Sequence, residues 1–263
     1  MIDTHTHIHD DNFKLDAEQS LKDAAAVGVD KIICVGTDGI FSKQAIDFAA
    51  RHDNVWASVG LHPHDADVSS SDMSEIAKLA KDDNVVAIGE CGLDYFYDNS
   101  PRELQKRVLI QHLEIAKKND LPVIFHIRGK EPDSSDAYND FWEIYNHYRP
   151  RGVVHSFSAH APQLSQILDS KLLVGVNGIV TFAKPGPQLD AYKNIPLERM
   201  VLETDAPLLT PVPYRGNINE SKYIPIIVKF LADLRSEKTS EIEEHTSINA
   251  AKLFGIGANR IDV

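Results

Sequence analysis

Ile2-Asp3-Thr4-His5-Thr6-His7, near the start of the chain, reads as a short β-strand. Side chains on a strand alternate faces, so His5 and His7 point the same way. Two imidazoles on one face can grip one divalent ion. Plainer explanations are chance clustering of histidines or the remnant of an affinity tag. The rest of the chain weighs against both, because metal-competent residues recur where later apolar runs end.

Seven such runs follow: Lys31–Gly36, Val55–Gly60, Val85–Gly89, Pro122–Phe125, Gly152–Val154, Leu172–Val176 and Met200–Glu203. Between them, helical spacing predicts helices over Asp16–Val27, Ser42–Arg51, Ser71–Lys81, Pro101–Asn119, Ser135–Tyr148 and Pro162–Leu168. Ser71 is a candidate N-cap and Gly28 a helix stop. Ile195–Arg199 leads into the eighth strand, and helices over Ser221–Arg235 and Ser240–Phe254 finish the chain. Gly129–Ser134, punctuated by Gly129, Pro132 and Ser134, is expected to be a mobile loop.

Continuous apolar runs suit parallel strands covered on both faces. Eight strand–helix units in 263 residues predict an α/β protein of the (β/α)8 TIM-barrel class. An open doubly wound sheet would want a Gly-rich phosphate loop after strand one, and none is present. With no linker, repeat or low-complexity segment, residues 1–263 are expected to form one domain.

The net charge of −12 argues against broad attraction to nucleic acid or an anionic membrane. It leaves phosphate substrates open, because bound cations dominate a local field. No apolar run approaches a membrane span, and no charged segment followed by an apolar one marks a secretory signal. The two cysteines, Cys34 and Cys91, make no disulfide framework, so a reducing, cytoplasmic compartment is expected. Nothing in the chain calls for an obligatory protein partner.

Barrel enzymes draw catalytic groups from the C-terminal ends of several strands. Here those ends carry His5 and His7, His62, Glu90, His126, His155, Glu203 and Asp205. A lone strand-end histidine is usually a structural hydrogen-bonder. So many converging on one mouth are most simply explained by shared cations, since unpartnered buried charges are costly. Four imidazoles and two carboxylates exceed the needs of one tetrahedral site and suggest two ions bridged by a carboxylate. Glu90 is the expected bridge. One ion takes His5, His7 and Asp205, and the other His126 and His155, while Asp205 orients a water and accepts its proton. Glu203, on the same strand face as Asp205, is a catalytic candidate or a buried partner of a Lys or Arg. His62, placed too far along its loop to be a ligand, is expected to contact substrate or support the site. His9, His52, His64, His112, His147, His160 and His245 are expected to be surface or structural.

Several motifs carry a resemblance. Asp3-Thr4-His5-Thr6-His7, Gly60-Leu61-His62-Pro63, Gly89-Glu90-Cys91-Gly92-Leu93-Asp94-Tyr95, Pro122–Arg128 and His155-Ser156-Phe157-Ser158 resemble the TatD-type metal-dependent deoxyribonucleases. So does Glu203-Thr204-Asp205-Ala206-Pro207-Leu208-Leu209. The likeness runs in order from Ile2 to about Phe254 and includes Pro211–Gly216 and Asn249-Ala250-Ala251. It implies an amidohydrolase-like TIM barrel, a divalent metal pair and hydrolysis of phosphodiester bonds in DNA. It also implies His5, His7, Glu90, His126, His155 and Asp205 as metal ligands. Ser156 and Ala159 stand where the family usually has Cys and Gly, and neither position is a ligand. The stretch after Arg128 also departs from the usual pattern, which leaves substrate range open.

Arg128 and Arg215 are candidates for binding phosphate. Tyr95 and Phe96 could stack on a terminal base or pack in the core. Asp94 could bind the terminal sugar hydroxyl or a metal-bound water, or fix its loop. The leading expectation is a metal-dependent exonuclease acting on single-stranded or frayed DNA ends. The alternatives are hydrolysis of a small amide, lactone or phosphoester on the same barrel, and a catalytically dead nucleic-acid adaptor. The mixed donor set admits Zn2+, Mn2+ and Mg2+. The resemblance leans toward Mg2+ or Mn2+ for activity.

Overall fold

The computed structural model describes residues 1–10, 14, 16–67, 70–131 and 133–257. Eight parallel strands form one sheet: β1 (Ile2–Thr6), β2 (Lys31–Val35), β3 (Val55–Val59), β4 (Val85–Asp94), β5 (Val123–Arg128), β6 (Gly152–Val154), β7 (Leu173–Val176) and β8 (Met200–Leu202), paired in chain order. Backbone bonds from His7 N–H to Ala206 O (2.8 Å) and Asp205 N–H to His5 O (2.8 Å) join β1 to the segment after β8. The sheet is thereby brought round into a TIM barrel.

Around it stand α1 (Ala17–Ala26), α2 (Gly39–Ala49), α3 (Ser70–Leu79), α4 (Arg102–Asn119), α5 (Asp136–Tyr148), α6 (Ala161–Asp169), α7 (Pro187–Lys193), α8 (Ile224–Arg235) and α9 (Thr239–Phe254). α7 has no counterpart in the sequence reading, and Ser221–Tyr223 is a separate 3-10 turn before α8. α2 starts earlier than expected because the Asp38 carboxylate caps Phe41 N–H at 2.7 Å. The expected Ser71 cap and Pro132 in the Gly129–Ser134 stretch lie outside the described side chains and residues.

Two hydrophobic layers follow from strand alternation. Outward residues such as Ile32, Cys34, Phe125 and Val154 join the helices in the larger core. Ile33, Val35, Trp56, Ile124, Val153 and Val201 form a smaller cluster closed by Leu253 and Phe254 of α9. β4 departs from simple alternation. Ile88 and Cys91, three residues apart, both belong to the outer layer. A register shift against β5 between them absorbs the extra residue and turns Glu90 inward. That shift also lets the strand run on to Asp94, past the Gly89 at which the sequence reading ended it.

Asp3 ties the closure. Its carboxylate accepts hydrogen bonds from Thr204 N–H (2.9 Å), Thr204 Oγ1 (2.6 Å) and Ser221 Oγ (2.7 Å). Burial raises its pKa to about 6 against the pull of these donors. Asp3→Ala strands these donors and His5 N–H, which Oδ1 also accepts at 3.3 Å, and is expected to cost about 2–3 kcal/mol, a fall in Tm of roughly 4–12 °C. Asp3→Asn keeps the shape and can still meet both hydroxyls, so it should cost much less. Equal melting temperatures for the two variants would disprove this account of the closure.

Candidate metal centre

The strand ends open into a cavity of about 780 Å³, lined among others by His7, His62, Glu90, Asp94, His126, His155 and Asp205. Glu90 stands between two groups. Its Oε2 lies 3.4 Å from His5 Nε2, and its Oε1 lies 2.8 Å from His126 Nδ1, 3.5 Å from His155 Nε2 and 3.7 Å from His62 Nε2. On the first side, Asp205 Oδ1 sits 3.4 Å from His7 Nε2 and 3.6 Å from His5 Nε2. The Nε2 atoms of His5 and His7 are themselves 3.3 Å apart.

Most of these imidazoles are aimed by a group behind them. His7 Nδ1 donates to Val35 O at 2.8 Å, which leaves its Nε2 lone pair toward the cavity. His5 is fully buried, stacks on His155 at 3.6 Å, and leaves Nδ1 without a partner. His155 Nδ1 is 3.0 Å from Glu203 Oε1, which also accepts Ser156 N–H at 2.6 Å. Gly92 sits against the backbone of His126 so closely that a Cβ there would collide with its carbonyl. His126 Nε2 is 2.9 Å from Asp94 Oδ2.

The electrostatics follow this pairing. Burial disfavours charge on His126 and His155, but Asp94 and Glu90 around the first, and Glu203 and Glu90 around the second, raise them to about 9 and about 10. Burial likewise opposes ionisation of Glu90, yet the surrounding histidines hold it well below the usual carboxylate range. Asp205 is lowered in the same way, against burial, chiefly by His7. Burial lowers His62 to about 3, leaving it neutral, with Nδ1 accepting His64 N–H at 3.2 Å and Nε2 facing Glu90. Bringing so many imidazoles and carboxylates together in a buried space suits divalent cations. Three groups have donor atoms close enough to share an ion: His5, His155 and Asp205; His5, His7 and Glu90; and His62, Glu90 and His126.

Several expectations need correction. His62 does reach the centre. Buried His112 donates from Nδ1 to Val108 O and accepts Leu61 N–H at Nε2, folding the loop back over Glu90. Glu203 does not line the cavity; it is 1 % exposed and stands behind His155. Its Oε1 meets His155 Nδ1 and Ser156 N–H, so it reaches the cavity only through His155. Asp94 fixes its own loop, one of the readings open to it. Oδ2 meets His64 (3.0 Å) and His126, and Oδ1 accepts from Phe96 and Tyr97 N–H. Tyr95 is 2 % exposed and bonded to Asp140, so it offers no surface to a base. Phe96 (48 %) and Tyr97 (55 %) are exposed instead, with the Arg128 guanidinium 4.0 Å and 5.0 Å above their rings. Arg215 lies outside the lining, over Phe182. Tyr97 and His64, both in the wall, were missed; His64's signal was its place two residues after His62 on the same turn.

Glu203→Gln should weaken metal affinity or activity roughly 10–100-fold, as loss of the group behind a ligating histidine does. Competition with a coloured chelator measures this, and an unchanged affinity would reduce Glu203 to packing.

The comparisons with known proteins agree with one another. A family model described as TatD related DNase matches residues 2–255. The chain is 34% identical over 260 residues to an uncharacterized metal-dependent hydrolase, YabD, of Bacillus subtilis, covering 97% of this chain and 99% of that protein. It is 34% identical over 261 residues to a 3'-5' ssDNA/RNA exonuclease TatD of Pectobacterium carotovorum, covering 97% and 99%. The crystal structure of YJJV, a TatD homolog from Escherichia coli K12, superposes with a TM-score of 0.89 at 30% identity, covering 98% of each chain.

Proposed function

The chain belongs to the TatD-related DNase family of metal-dependent hydrolases, and from that premise we propose that it is an exonuclease hydrolysing phosphodiester bonds at single-stranded or frayed DNA ends. The reading treats the whole chain as one barrel domain working with two divalent ions. His5, His7, Glu90, His126, His155 and Asp205 would hold them, with Glu90 between. The position of Glu90, one oxygen toward each group of histidines, carries the proposal. Bound ions would polarise the phosphodiester and acidify the attacking water.

The chain's own residues do the rest. Asp205, open to the cavity, takes the proton of the attacking water at its carboxylate. Glu203 and Asp94 hold His155 and His126 in orientation. Arg128 offers a fork of donors to a phosphate beside the centre, and the exposed Phe96 and Tyr97 rings beneath it offer a face to a terminal base. With Arg128 the only arginine or lysine lining this cavity among the described residues, few phosphates are gripped, which favours loose ends over long duplex. A 3'-to-5' direction and action on RNA, both named for the Pectobacterium relative, are part of the proposal to be tested.

Metal-stripped protein reloaded with Mg2+, Mn2+ or Zn2+ should shorten end-labelled single-stranded oligonucleotides stepwise. Duplexes, RNA strands, esters and lactones complete the panel. Turnover of esters or lactones with no oligonucleotide cleavage under any ion would overturn the nuclease reading.

A further inference from the structure

A second, smaller groove of about 380 Å³ adjoins the metal cavity and shares Ile179 and Gln188 with it. His160, Phe182, Lys184 and Pro185 complete its working surface. Its volume is at the low end of those that hold small molecules. The Arg215 guanidinium lies 4.0 Å over the Phe182 ring, the spacing at which Arg128 covers Phe96. Arginine-on-aromatic platforms therefore stand at two places on the rim, one after β4 and β5 and one after β7 and β8.

The second platform is built into the backbone. Thr181 Oγ1 donates to Gly178 O (2.7 Å) and accepts Val212 N–H (2.9 Å), pinning the segment after β7 to the loop that carries Arg215. Gly178 packs so tightly under Leu209 that a Cβ would strike its carbonyl. Arg215 is held in turn by donation from one guanidinium nitrogen to Thr210 O at 2.9 Å. In a chain of net charge −12, Arg128 and Lys184 are the only arginine or lysine among the described residues lining the two cavities, and Arg215, over Phe182, stands beside Lys184's groove.

We propose that this groove is a second nucleotide subsite, in which Phe182 and Arg215 stack a base and Lys184 meets a phosphate of a single strand whose end lies in the metal cavity. The inference rests on the nuclease reading and adds a path for the strand. Stacking platforms flanked by isolated cations bind single strands whatever their sequence. Filling it requires nucleotides beyond the one at the metal centre, so the subsite rewards length.

The readout is a length preference, the kcat/KM on a twelve-nucleotide DNA strand divided by that on a trinucleotide. Phe182→Ala and Arg215→Ala are each expected to lower this ratio about tenfold, as loss of one stacked base would. Lys184→Ala should lower it several-fold, and Phe182→Trp should retain it. A ratio equal to wild type in all three alanine variants, or an equal loss on both substrates, overturns the proposal. If the wild type cleaves no oligonucleotide, the nuclease reading fails by itself. The subsite is then judged by fluorescence anisotropy with a labelled twelve-nucleotide strand, where equal affinity of wild type and variants overturns it and weaker binding by the variants supports it.

Discussion

Replacing Glu90 by glutamine is expected to lower turnover of a single-stranded oligonucleotide by about 10³-fold or more. The substitution keeps the size of the side chain and removes the charge that lies between His5 on one side and His126, His155 and His62 on the other. Loss of several kcal/mol of charge stabilisation in the transition state corresponds to that factor. The variant should also bind divalent ions more weakly, because the amide offers a neutral oxygen where the carboxylate offered an anionic one. Its fold should survive, since Glu90 is paired with the site rather than with the surrounding core. Steady-state kinetics with end-labelled substrate, beside a melting curve, make the measurement. A variant within tenfold of wild type would remove Glu90 from the centre of the mechanism.

Stripping the protein of divalent ions is expected to abolish turnover and to lower Tm by roughly 5–10 °C. An ion present at 100 times its Kd stabilises the folded state by about 2.7 kcal/mol, and a chain of this size shifts by a few degrees per kcal/mol. The physical source is the buried cluster itself, where carboxylates and imidazoles crowd within 3.3–3.6 Å of one another on the β1 side of Glu90. Readdition of Mg2+, Mn2+ or Zn2+ should restore both quantities. Calorimetry and activity on the same sample test this. Undiminished cleavage in excess chelator would sink the metal-dependent account.

Most of the barrel was legible because the strands after β1 are built on continuous apolar runs that survive burial on both faces. The strand-end pattern was legible for the same reason, since a residue just past such a run stands at the rim. What escaped depends on local rotations that alternation does not encode. The register shift between Ile88 and Cys91 extends β4 and turns Glu90 inward, and no composition signal marks it. Past the end of β4, a turn held by Oδ1 of Asp94 buries Tyr95 and exposes Phe96 and Tyr97, reversing which ring a substrate can meet. His62 was judged by its distance along the loop. Its real position is set by His112, fifty residues away on α4, which holds Leu61 N–H. α7 is seven residues long and begins amid Pro185, Gly186 and Pro187, too short and too interrupted for a periodic signal.

The seam between β1 and the segment after β8 joins residues two hundred positions apart through His7 to Ala206, Asp205 to His5 and Asp3 to Thr204. His5 and His7 lie on one margin of that seam and Asp205 on the other. A chain still emerging from the ribosome, or one cut short before the eighth strand, therefore lacks one margin of its donor set. Under the proposed reading, hydrolytic capacity arrives only when the ring is complete, and unfinished copies are harmless to the nucleic acid around them.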